Sequence, residues 1–122
     1  MKYVLMACLP MNVSGAAIFA PPCSFLRESL GLPESHPLYL GVLSIWILLF
    51  GVAYFWQGYR GRIDRTFLTV GAAGKAAFAL LLMALAAGGN LPPQAVAVGL
   101  PDLALAVVFA NWLRRPDPLL IG

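Results

Sequence analysis

Four blocks of apolar residues, at about 3–20, 38–56, 66–88 and 94–113, alternate along the chain with short stretches rich in proline, glycine and charge. A hydrocarbon core near 30 Å takes about 20 helical residues at 1.5 Å each, so every block is long enough to span a bilayer. The punctuation between blocks is of the kind that ends helices. Pro21-Pro22 stops the first block, because proline lacks the amide donor and clashes with the preceding turn. Gly89-Asn90-Leu91-Pro92-Pro93 is a tight turn before the fourth. Between the first two blocks the chain turns polar, with Arg27, Glu28, Glu34 and His36 around Gly31 and Pro33. Phe25, Leu26, Leu30 and Leu32 in that stretch are spaced either for a short interfacial helix or for ordinary core packing. The pattern predicts an all-α integral membrane four-helix bundle, antiparallel up-down-up-down, forming one transmembrane domain over residues 1–122.

Composition narrows the class further. Hydrophobic residues make up 61% and charged residues 11% of the chain, against about 45–50% and 25% in soluble domains, which excludes an ordinary soluble fold. The net charge of +3 comes from cations scattered between apolar blocks, so no nucleic-acid surface is expected. These cations act as topology signals instead. Lys2, the loop arginines Arg60, Arg62 and Arg65, and Arg114-Arg115 fall on one side of a four-span layout, with Arg27 alone on the other. The positive-inside rule then puts both termini in the cytoplasm. Met1-Lys2 before an apolar stretch has the outline of a secretory signal, but Pro10 and Asn12 interrupt it and no A-x-A site precedes Pro21-Pro22. Cys8 and Cys23 lie about 22 Å apart by helical rise, too far to pair, and read as packing residues, with a free surface thiol at Cys23 as the alternative.

Three polar side chains fall inside spans: Asn12 in the first, Lys75 in the third and Asp102 in the fourth. Counted from the cytoplasmic ends, all three come to a depth of about 14–17 Å. An ionised group at mid-bilayer costs about 2.5–3.5 kcal/mol on insertion scales, so opposite charges at one depth are expected to face each other. Gly71, Ala73, Gly74 and Ala77 allow close approach to the third helix, and Pro101 is expected to bend the fourth beside Asp102. Buried pairs of this kind serve either as register devices or as binding and proton-handling sites.

Other candidates carry less. His36 has no Cys or His beside it, so no metal is expected, and no cofactor motif is present. Ser14 and Ser44 lack a base in sequence reach and are expected to bond their own helix backbone. Gly71-Ala72-Ala73-Gly74-Lys75 lacks the Walker spacing. Trp46, Tyr54, Phe55 and Trp56 read as a lipid or packing surface.

At Phe19-Ala20-Pro21-Pro22, Gly31-Leu32-Pro33, Pro37-Leu38-Tyr39, Gly51-Val52-Ala53-Tyr54, Gly71 to Lys75 and Asp102-Leu103, the chain resembles a group of small bacterial four-span membrane proteins, loosely DoxX-like in size. The resemblance implies a bacterial inner-membrane location and singles out Lys75 and Asp102, but implies no substrate. The leading expectation is a non-enzymatic bundle binding a lipophilic small molecule or a membrane partner through a buried layer of Lys75, Asp102 and Asn12. Two alternatives stand beside it: a proton-coupled small transporter acting as a homodimer, and a structural ion pair in a subunit of a larger membrane complex. Enzymatic use of Lys75 as a base is disfavoured, since a neighbouring carboxylate holds the amine charged.

Overall fold

Proline and glycine set the helix boundaries, and the computed structural model describes them for residues 1–115; the tail expected over 116–122 lies outside the described residues. Helix α1 (Lys2–Phe19) ends just before Pro21-Pro22 and carries Pro10 in its interior. The Ser14 hydroxyl donates to the Pro10 carbonyl at 3.0 Å, a bond within its own helix as expected. The polar stretch after α1 contains a short helix, α2 (Ser24–Leu30), closed by Gly31 at φ 73°, a left-handed conformation that favours glycine. Helix α3 (Pro37–Arg60) begins with proline in its first turn, and His36 caps it by accepting the Leu38 amide at Nδ1. It runs one turn beyond the expected second span, because nothing breaks it until Gly61 turns left-handed at φ 70°.

Asp64 caps helix α4 (Arg65–Ala87), its carboxylate accepting the Phe67 amide at 3.0 Å. The fourth span departs from a uniform helix. Residues Pro93–Val98 form a 3-10 segment, and α5 (Leu100–Leu113) starts afresh after Gly99. The break lies two residues ahead of Pro101, which then occupies a first-turn position that needs no amide donor. The segments Lys2–Phe19, Pro37–Arg60, Arg65–Ala87 and Pro93–Leu113 are each long and apolar enough to cross a membrane. The described residues form helices and no strands. Along α3 alone, Ile45, Trp46, Leu49, Val52 and Trp56 are exposed. With four segments of that length and hydropathy the chain is a multi-pass membrane protein, and the apolar face of α3 is one that lipid or a neighbouring helix covers.

The fold consists of two units, residues 1–63 and 64 onward. In the first, α1 and α3 run antiparallel. Asn12 meets Ile47, the Ser44 hydroxyl donates to the Ala16 carbonyl at 2.7 Å, and Gly58 lies against the Lys2 carbonyl. Ser44 was expected to bond its own helix; the neighbouring helix passes closely enough to take that bond instead. Glycine makes the approach possible, since a Cβ on Gly51 would sit 2.6 Å from the Asn12 Cβ and one on Gly58 2.7 Å from the Lys2 oxygen. In the second unit α4 and α5 are likewise antiparallel. Arg65 donates to the carbonyls of Leu113 and Arg115 and lies over the Trp112 ring, closing the last turn of α5.

The stretch after α1 is less polar in fact than in sequence. Arg27 is fully buried, and its guanidinium donates to the carbonyls of Ile18, Ala20 and Pro21 and twice to Glu34. Proline at 21 and 22 removes the amides that would continue the helix, so the carbonyls at the end of α1 need outside donors. One planar group with five N–H bonds supplies them. Glu34 holds the fork in place from the other side, and the Arg27 hydrogen bond lowers the Glu34 pKa below the ordinary carboxylate value.

Candidate functional site

Helix α4 buries Leu68, Gly71, Lys75, Ala79 and Leu82. Those positions recur every three or four residues and so form one helical face. Lysine at the centre of an otherwise apolar face must find a partner, and α5 provides it. Asp102 is the third residue of α5, in the first turn, where the helix dipole and unsatisfied amides favour a carboxylate. The Lys75 Nζ donates to the Asp102 Oδ1 at 2.7 Å, a length typical of a charge-assisted bond. The lysine side chain is 9% exposed and the aspartate side chain 22%.

The broken fourth span brings the two together. A Cβ on Gly99 would lie 2.9 Å from the Ala79 backbone and 2.9 Å from Leu82, so α5 begins hard against α4, one turn from Lys75. From the charged ends of the helices, Lys75 lies about 15 Å from Arg65 and Asp102 about 16 Å from Leu113 by helical rise. Both expected members of the pair therefore meet within one hairpin, roughly halfway along it.

Asn12 belongs to the other unit. Its side-chain amide donates to the Ile47 carbonyl at 2.8 Å, and the residue is buried between α1 and α3. Asn12 makes its bond within the first hairpin, and Lys75 and Asp102 make theirs within the second. The two hairpins are built on one plan. Leu5, Cys8, Asn12 and Ala16 are buried in α1 at the same spacing as Leu68, Gly71, Lys75 and Ala79 in α4. Beyond the partner positions, Gly51 and Tyr54 follow Ile47 as Ala106 and Phe109 follow Asp102, and all four are buried. Asn12 therefore stands in the first hairpin where Lys75 stands in the second, with a backbone carbonyl in the place of a carboxylate.

The fully buried Arg27 and the exposed Glu34 form a further ion pair, which sequence reasoning did not find. Its three carbonyl acceptors leave no trace in residue identity. The nearest signal is an arginine following Pro-Pro by five residues with a glutamate seven further on. Arg27 is saturated by its partners and works as a structural clamp. No family model matches this chain, and neither a curated protein nor a solved structure matches it.

Proposed function

We propose that this chain is a non-enzymatic membrane protein that holds a lipophilic small molecule or a membrane partner through Lys75 and Asp102. The observation that carries this reading is the contrast between the hairpins. The first closes its buried polar position with a neutral amide and a carbonyl, so pairing two such helices needs no charge. The second places two full charges at the matching step, where desolvation makes them expensive, and leaves the carboxylate partly exposed. A register device explains two charges at a matched step, and a receptor for a polar head explains in addition why one of them is left partly open. The test replaces the pair with an apolar one of similar volume, K75M/D102L, and compares by mass spectrometry the lipophilic compounds that co-purify with each protein from its own membrane. The expected result is at least one species carried by the wild type and lost from the double variant. An identical complement in both would end the proposal.

The same reading places both termini on the cytoplasmic side of a bacterial inner membrane. Its support lies in each hairpin separately. Antiparallel helices put Lys2 at the same end of the first as Arg60 and Arg62, and Arg65 at the same end of the second as Arg114 and Arg115. At the opposite end of the first, the charge of Arg27 is neutralised by Glu34, so it gives no competing retention signal. A C-terminal green fluorescent protein fusion will be fluorescent and a C-terminal alkaline phosphatase fusion inactive; the reverse pattern would invert the topology.

A further inference from the structure

Resting on that reading, we infer that the head group taken by the Lys75–Asp102 pair is a neutral hydrogen-bond donor, a hydroxyl or phenol on a lipophilic chain. Two observations point to this class. The first is access. The ammonium is the more buried partner at 9% and the carboxylate the more open at 22%, so an entering group meets an acceptor oxygen before it meets a donor. Carboxylate oxygens accept several hydrogen bonds, so the more open member of the pair can take an incoming donor without giving up Lys75. The second is charge. The pair at 2.7 Å is already neutral as a unit. A cationic head would leave one uncompensated positive charge halfway along two apolar helices, and an anionic head one negative charge, each carrying the full penalty of an ion in lipid. An O–H adds a bond to an ionised acceptor and no charge.

Position favours the same class. Asp102 sits in the first turn of α5, beside amides that no carbonyl of its own helix can take. Gly99 fixes that turn against Ala79, so the acceptor is already in place before anything binds.

The experiment uses the full-length protein in lipid nanodiscs with four probes of one chain length: hexadecanol, hexadecyl methyl ether, hexadecylammonium and hexadecanoate. Native mass spectrometry reads the amount of each retained by the wild type and by K75M/D102L. The expected result is retention of hexadecanol about ten-fold or more above the ether, which has the same chain but no donor, with the difference absent from the double variant. Retention of the ammonium or the carboxylate in preference to hexadecanol, lost in the double variant, would overturn the inference while leaving the receptor reading intact. An alcohol preference that survives in the double variant would show that the acceptor lies elsewhere and would also overturn it. Equal retention of all four probes by both proteins would remove the receptor reading and the inference with it.

Discussion

Replacing Asp102 by leucine alone will destabilise the protein by about 3–5 kcal/mol, whereas K75M/D102L will unfold at or above the wild-type midpoint. The single change leaves the Lys75 ammonium 9% exposed on an apolar face with its 2.7 Å acceptor removed. K75M alone will cost less, since the stranded carboxylate is 22% exposed and retains the favourable field of the α5 N-terminus. The double variant restores an apolar contact between α4 and α5 of nearly the same volume and removes both desolvation penalties at once. Equilibrium unfolding in mixed micelles, followed by tryptophan fluorescence, gives the three values and the coupling between the sites. If the double variant were as unstable as D102L, the ion pair would be an essential part of the fold, and the contrast between the hairpins would lose its force. A stable double variant that carries no ligand separates the two roles.

How much of this could be read from residues alone follows from where each interaction keeps its information. The four spans were legible because apolar length survives any detail of packing, and Lys75 with Asp102 because two opposite charges at one depth have few ways to be stable. Asn12 is legible as a polar residue inside its span, but the bond it makes is not. Its acceptor is the Ile47 carbonyl, which every residue possesses, and only Gly51, whose missing Cβ lets the helices close up, hints at it. Ser44 fails the same way, since the carbonyl it takes is in the neighbouring helix. The fourth span was read as continuous because apolar periodicity does not distinguish a 3-10 segment from an α-helix over six residues. Pro101 signalled a disturbance, and Gly99, by accepting the closest contact with α4, fixed where it falls.

The matching plan of the two hairpins gives those details a common sense. A stripe spaced three, four and four residues apart buries a leucine, a small residue, a polar residue and an alanine in both α1 and α4. The chain therefore solves one packing problem twice and differs at the polar step. In the first hairpin the amide and carbonyl are matched without charge, and the helices approach through glycine. In the second, Ala106 stands where the first has Gly51, and longer side chains reach across to form the ion pair.

Arg27→Ala will lower the melting temperature of the detergent-solubilised protein more than Glu34→Ala, and the order of the two follows from burial. Arg27 is fully buried with five bonds, three of them to the carbonyls that close α1, and removing it takes the side-chain donor from Ile18 and Pro21, leaves Ala20 with the Cys23 amide alone, and opens a void. Glu34 is 56% exposed, so water takes over its side of the contact when it is removed. Lysine at 27 will rescue little, because a point charge cannot reproduce a planar fork that serves Glu34 and α1 at once. The same pair sets a pH dependence. The hydrogen bond from Arg27 lowers the Glu34 pKa in the folded protein, so its contribution is complete above the ordinary carboxylate value and is lost as pH falls through the lowered one. Melting measured from neutral pH into the acid range will show the wild type losing stability there, and E34Q will show a smaller loss over the same interval. Equal acid sensitivity in the two proteins would mean that the clamp closes α1 without help from the glutamate charge.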